Sequence, residues 1–429
     1  MKPAASRLVL CALSLVFAAV VARADPLTAV MLEPHTARFT LEKGTLAGPG
    51  AEVLAEAFAS HHAVLLGEYH GSELISRFTE AIIPTLDAEG YRHMVLEVGP
   101  AAGRILTGLA GDGSQTVRAL ARFHTRYALP GGGGDGDWSP PIPFFDSVAD
   151  AEFLAAAASR GWVLFGIDQE FIDGYLPVLD AAIGSLPADA IAGLGDLPDR
   201  ARRAILEAHA AELADEGDAA EILLASDDLN ACLDAITAAD MRGAGGRAAE
   251  TAADIRASLE IYRLNAVGDW WNSNRTRIAG MKGNFDRGAA RAGLDVGEDK
   301  FVVKMGAVHT GRGLSLLRHY EIGNTISELC ELRGGRSVHL SFAARFSRDE
   351  TAAGGVTDGL ETDKRYGVIR SMGAADVWTL VDLRPLKRAV FYDWIETERF
   401  AREWFLQHDL IVIPPADGPS PVNRAVDGR

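Results

Sequence analysis

Short, mostly apolar runs rich in β-branched residues recur along the chain with helical stretches between them. Segments 63–66, 94–98, 162–167 and 301–305 have the length and composition of strands buried on both faces. Between the first two, residues 72–88 carry Leu74, Ile75, Phe78, Ile82 and Ile83 at helical spacing, and 148–159 predicts a second helix before the third strand. The alternation predicts an α/β fold, a mostly parallel central sheet flanked by helices, with right-handed crossovers making successive strands neighbours.

Residues 186–260 interrupt that rhythm with Ala-, Glu- and Asp-rich sequence, broken near "MRGAGGR" at 241–247 and holding no strand candidate. A helical insertion is expected there. Strands resume at 338–342, 377–381 and 410–413, with a helix at 397–407 before the last. No internal repeat of solenoid length is present. The stretch "LPGGGGDGDWSPP" at 129–141 lacks the Lys-Ser/Thr of a phosphate cradle and is a single copy, so it reads as a surface loop.

Composition narrows the class. Of 429 residues, 48% are hydrophobic and 24% charged, enough apolar material for a large core. Lys2 and Arg7 precede an apolar run from Leu8 to Val21, and Ala22-Arg23-Ala24 offers a cleavage site before Asp25. The expectation is an exported protein, secreted or periplasmic, with a leader at 1–24 and one α/β domain over 25–429. No later segment looks membrane-spanning. The formal net charge is −17, and losing Lys2, Arg7 and Arg23 with the leader takes it to −20. Nucleic acid and stable membrane insertion are therefore not expected. Past the leader only Cys232 and Cys330 remain, too few for a disulfide framework or a thiolate metal cluster; they pair once or not at all.

Polar residues gather where the apolar runs stop. "GEYH" at 67–70 places Glu68 and His70 two apart, on one side of an extended segment, with Gly67 leaving room. "MVLEVGP" carries Glu97, and a carboxylate in an apolar run is costly unless paired or facing a cavity. "FGIDQE" sets Asp168 just past the third strand. "FVVKMGAVHTG" repeats the first arrangement with Gly306 and His309. Before it, "NSNRTRIAGMKGN" puts Asn274, Arg277, Met281 and Asn284 on one helical face, with Arg277 as a cation for a substrate carboxylate or an oxyanion. Singly, each has a bland reading. His70 and His309 fit satisfied structural histidines, Asp168 a helix cap, Glu97 a partner of Arg92, and Arg277 a solvated face with Arg275. Four strand ends sharing this chemistry instead suit an active site, since ligands of open parallel sheets bind at the carboxyl ends of the strands. His61, His62 and His93 begin strands at the opposite end and read as structural, and Lys304 reads as an interior lysine that either joins the site or snorkels to the sheet edge, the latter favoured. There is no G-x-S-x-G elbow and no H-E-x-x-H.

With these residues assembled, the sequence resembles the superfamily of erythromycin esterases, Tiki-type metalloproteases, the TraB group and ChaN-like haem-uptake proteins. The likeness rests on two G-x-x-H motifs, "GEYH" and "GAVH", supported by Glu97, by the G-x-D of "FGIDQE" and by the R-x-x-x-M-x-x-N of "RIAGMKGN", which selects Arg277 over Arg275. It spans roughly 60–315. Erythromycin esterases carry one more residue between the Glu and His of the first motif, and a histidine where this chain has Gly306; here the pattern is nearer the Tiki and ChaN-like one.

The resemblance implies a hydrolase of an ester, lactone or peptide bond in a small molecule or peptide. In a metal-free form His70 is the general base, oriented by Glu68 or Glu97, while Arg277 and His309 stabilise the oxyanion. In a metal-dependent form His70, His309, Glu68 and Glu97 hold one Zn²⁺ or Mn²⁺ ion. Asp168, Asn274 and Asn284 support the site. The alternative is a ChaN-like protein that binds haem or iron without catalysis, with Tyr69 as a conceivable iron ligand.

Overall fold

The computed structural model describes residues 24–131, 138–241, 246–348, 355–361, 364–418 and 420–424. The expected leader, apart from Ala24, and residues 132–137 of the glycine-rich loop lie outside the described residues. Nine strands form the main sheet: β1 (Thr36–Glu42), β2 (Thr45–Ala47), β3 (Ala63–Glu68), β4 (Tyr91–Leu96), β5 (Val163–Gly166), β6 (Lys300–Gly306), β7 (Ser337–Phe342), β8 (Trp378–Asp382) and β9 (Leu410–Ile413). Their order across the sheet is β2-β1-β8-β9-β7-β3-β6-β4-β5. The run from β9 to β5 is parallel, and the β2, β1 and β8 side pairs antiparallel.

Alternation along β3 and β6 explains why both faces are covered. Val64, Leu66 and Val302 enter one core, while Ala63, Leu65, Phe301, Val303 and Met305 enter another on the opposite face. On the first face lie α1 (Pro49–Ser60), α2 (Glu73–Ala88), α3 (Pro100–Ala110) and α4 (Val148–Ala158). Ser72 caps α2 by accepting from the Ile75 amide.

Helices α5 (Tyr175–Gly184), α6 (Leu197–Leu213), α7 (Asp227–Asp240) and α8 (Arg247–Ala266) enclose a core of their own, to which Tyr175, Ile205, Leu233 and Ile255 contribute. This is the expected helical excursion, beginning earlier, at α5. On the second face of the sheet lie α9 (Trp270–Ala292) and, past the short helix α10 (Ala307–Thr310), α11 (Ile322–Leu332).

One expectation needs correction. The first and second strands are not neighbours, because β6 is inserted between β3 and β4. The crossover through α2 skips one position, and the chain fills it only after the long helical excursion. Strands β1 and β2 also went unread; β1 alternates buried and exposed positions weakly, with only Phe39 fully buried.

The order of strands locates the crevice. From β3 the chain leaves through α2 on one face to β4, and from neighbouring β6 it leaves through α11 on the other face to β7. With right-handed crossovers the two connections diverge, which opens a crevice at the carboxyl ends of β3 and β6. Among the described residues no helix is long and apolar enough to cross a membrane. Cys232 and Cys330 are buried in separate cores and unpaired.

Candidate active site

At the crevice the register sets Glu68 of β3 directly opposite Gly306 of β6. Both glycines of the two G-x-x-H motifs are places of close approach. A Cβ at Gly67 would press on Thr310 Oγ1 and lie 2.9 Å from Ala307 Cα, and one at Gly306 would lie 3.1 Å from His70 Nε2. The histidine that erythromycin esterases carry at the latter position has no room here without displacing His70. Gly67→Ala is expected to destabilise the protein by about 1–3 kcal/mol through overpacking; an unchanged urea midpoint would show that β3 and α10 are not in contact.

Glu97, just past β4, lies at the centre. Its Oε2 accepts from the Gly306 amide and is 3.6 Å from His70 Nε2; its Oε1 is 3.3 Å from Arg277 NH2 and 3.6 Å from His309 Nε2. One buried carboxylate thus faces both imidazoles and the guanidinium. The other ring nitrogen of each histidine is held by its own acid: His70 Nδ1 by Glu68 Oε1 at 3.1 Å, His309 Nδ1 by Glu321 Oε2 at 2.9 Å. Glu321, fully buried, also accepts from Ser315 Oγ at 2.7 Å. His70 is the more open of the two, with 35% of its side chain exposed against 7% for His309. Its ring stacks on Phe144, centroids 3.9 Å apart, and Phe144 holds a left-handed backbone, φ 67°, of the strained kind that collects at functional sites.

Arg277 on α9 binds Asp168 twice, through Nε at 2.9 Å and NH2 at 2.5 Å. Asp168, past the end of β5, is fully buried and is positioned by its amide on the Val98 carbonyl. Met281, one turn on, is core, and Asn284 donates to the carbonyls of Ile167 at 2.9 Å and Asp168 at 3.1 Å. Asn274 takes no part in this network; its amide donates to the Trp270 carbonyl one turn back. NH1 of Arg277 has no partner among the described residues.

Lys304 is a correction. It is buried and forms an ion pair with Glu68 Oε2. Snorkelling requires a nearby edge, and β6 is flanked by β3 and β4, so the ammonium stays inside, 4.9 Å over the Phe153 ring, with Glu68 as counter-charge. Glu321 was likewise missed; only its position twelve residues after His309 hinted at it. Tyr69 turns away, its hydroxyl donating to Asp417 at 2.8 Å. A cavity of about 200 Å³ beside Glu68 and Lys304 is lined by Ser72, Ser76, Phe144 and Asp150.

Burial pushes the Glu68 carboxyl up, but Lys304 and His70 more than offset it and hold it below its ordinary value. Burial pulls the His309 imidazole down, yet the bond to Glu321 and the charge of Glu97 prevail and raise it above 6.5. The buried guanidinium of Arg277 is likewise pulled down by burial and held charged by Asp168 and Glu97. Because His309 is raised in the folded state, its stabilising contribution is full below the ordinary value and is lost as pH rises through the folded one. The urea midpoint is expected to decline over that interval, and Glu321→Gln to flatten the decline; equal slopes would mean Glu321 does not hold the proton.

Three solved structures share this fold. A Bacillus cereus protein matches with a TM-score of 0.55 at 14% identity, over 92% of this chain and 98% of that one. A succinoglycan biosynthesis protein gives 0.56 at 13%, over 92% and 97%. A mutant of the erythromycin esterase EreC in its open conformation gives 0.54 at 14%, over 91% and 99%. No family model matches the chain, and no match was found among curated proteins. At such identities the likeness is one of fold, the α/β fold of the erythromycin esterases.

Proposed function

We propose that the protein is a metal-free hydrolase that activates water with His70 to cleave a carboxylic ester or lactone. The observation that carries this reading is Glu97, a single buried carboxylate facing His70, His309 and Arg277 at the crevice between β3 and β6. The EreC likeness supports the ester class.

His70 Nδ1–H donates to Glu68, which leaves Nε2, the nitrogen 3.6 Å from Glu97, as the acceptor. Nε2 takes a proton from water as the water oxygen bonds to the carbonyl carbon, and the carbonyl π pair moves onto oxygen. Arg277 NH1 and the Nε2–H of His309 supply donors for that oxyanion, their charges fixed by Asp168 and Glu321. The intermediate collapses by breaking the carbon–oxygen bond to the leaving group, and His70 returns the proton to the departing alkoxide. Glu97 orients Arg277 and His309 and stands beside His70. The exposed His70 ring, stacked on Phe144, is where a substrate would enter.

A divalent ion would have to be held by His70, His309, Glu68 and Glu97. The Glu68 oxygens already serve His70 and Lys304, and those of Glu97 serve Arg277 and the Gly306 amide. Fixed protein cations thus hold the positions of charge an ion would take, so the donor set fits a metal poorly and supports the metal-free form.

The test is turnover of a panel of aryl esters and lactones by the full chain before and after exhaustive chelation. Undiminished rates are expected; loss restored by Zn²⁺ or Mn²⁺ would return the metal-dependent form. A stoichiometric Soret band on haem addition, with no turnover of any substrate, would instead make the protein a haem binder.

A further inference from the structure

The far edge of the sheet is β5, and among the described residues no strand covers its outer side. Between that edge, α3, the first half of α8 and the second half of α9 lies a cavity of about 460 Å³. Four arginines, Arg104, Arg247, Arg287 and Arg291, line it against only two carboxylates, Glu250 and Asp254. Glu250 is taken by Arg291. Asp254 stands 3.6 Å from Arg287, and burial pushes its carboxyl up to about 6.

The other two guanidiniums are less satisfied. Arg104 donates to Thr251 Oγ1 at 2.7 Å. Burial pulls its pKa down; Glu170 and Asp254 oppose this, and Arg247 and Arg291 add to it. Among the described residues Arg247 pairs with no carboxylate. Like charges gathered around a hollow repel, and in a chain of net charge −17 their excess is local and specific. The floor is apolar. A Cβ at Gly288 would lie 2.5 Å from the Phe165 ring, so glycine there lets the ring lie against α9 and face the cavity.

We propose that this cavity binds a small organic anion, a phosphate or carboxylate carrying a flat apolar body, with the anion on Arg104, Arg247 and Arg287 and the body on Phe165. Guanidinium groups suit planar or tetrahedral oxyanions because they donate two parallel hydrogen bonds, and an apolar floor adds affinity only for a ligand with a body to bury. The site is separate from the crevice at His70 and does not depend on the hydrolase reading.

Calorimetry on the full chain at low salt tests it, with phenyl phosphate as probe and inorganic phosphate and benzyl alcohol as controls. One saturable site is expected for phenyl phosphate, with weaker binding of both controls. Arg247→Glu, a change at an exposed residue that spares folding, is expected to raise the dissociation constant about tenfold or more, and His70→Ala to leave it unchanged. No binding, equal affinity in Arg247→Glu, or loss in His70→Ala would overturn the proposal. Equal affinity for inorganic phosphate would remove the apolar body from it, and equal affinity for benzyl alcohol the anion.

Discussion

Turnover of a cleavable ester is expected to fall by about two to four orders of magnitude in His70→Ala, the loss that follows removal of a positioned general base. The effect belongs to the rate constant and not to folding. His70 is the most open member of the cluster, with its ring on Phe144 and Nδ1 on Glu68, so the alanine variant gives up one stacking contact and one hydrogen bond. Lys304 remains as the partner of Glu68. The thermal midpoint is expected to move little while kcat collapses. Full activity in a folded His70→Ala protein would remove the imidazole from the mechanism, and with it the reading of Glu68 as its orienting acid.

Arg277→Met is expected to act on both stability and rate. It leaves Asp168, fully buried, without its bidentate partner and takes a cation from Glu97. Breaking a buried pair from one side costs about 3–5 kcal/mol, because the remaining charge stays desolvated. Losing an oxyanion donor lowers kcat by about two to three orders of magnitude. A second change separates the effects: adding Asp168→Asn removes the stranded charge and is expected to restore most of the stability and none of the rate. If the double variant regains activity with stability, Arg277 is a structural clamp only. Measuring urea midpoints and kcat on the same preparations decides this.

These expectations rest on contacts that were unequally visible beforehand. Local pattern located β3, β4, β5 and β6, because an apolar run of strand length bounded by polar residues is written in consecutive positions. Parity within an extended segment placed Glu68 and His70 on one side, and helical spacing aligned Arg277, Met281 and Asn284. Lys304 was misjudged for the same reason the strands were found. A single charge in an apolar run says that the run is buried, but not which strands flank it, and the flanking strands decide whether an ammonium can reach water. Asn274 shows the reverse error, since helical spacing puts it in line with Arg277 without saying that its amide is taken by the Trp270 carbonyl one turn back.

The sequence by itself determined the kind of fold, the helical excursion and the set of acids, imidazoles and guanidinium from which a site could be built, since periodicity and local composition depend on neighbours in the chain. Tertiary structure alone decided the insertion of β6 between β3 and β4, the divergence of connections that opens the crevice, the pairing of Lys304 with Glu68 and Glu321 with His309, and the place of Glu97 between two histidines. Those contacts join residues up to more than two hundred positions apart. Their energies come from burial and charge pairing that exist only once the layers have closed, and a linear pattern carries no record of which distant partner satisfies a buried charge.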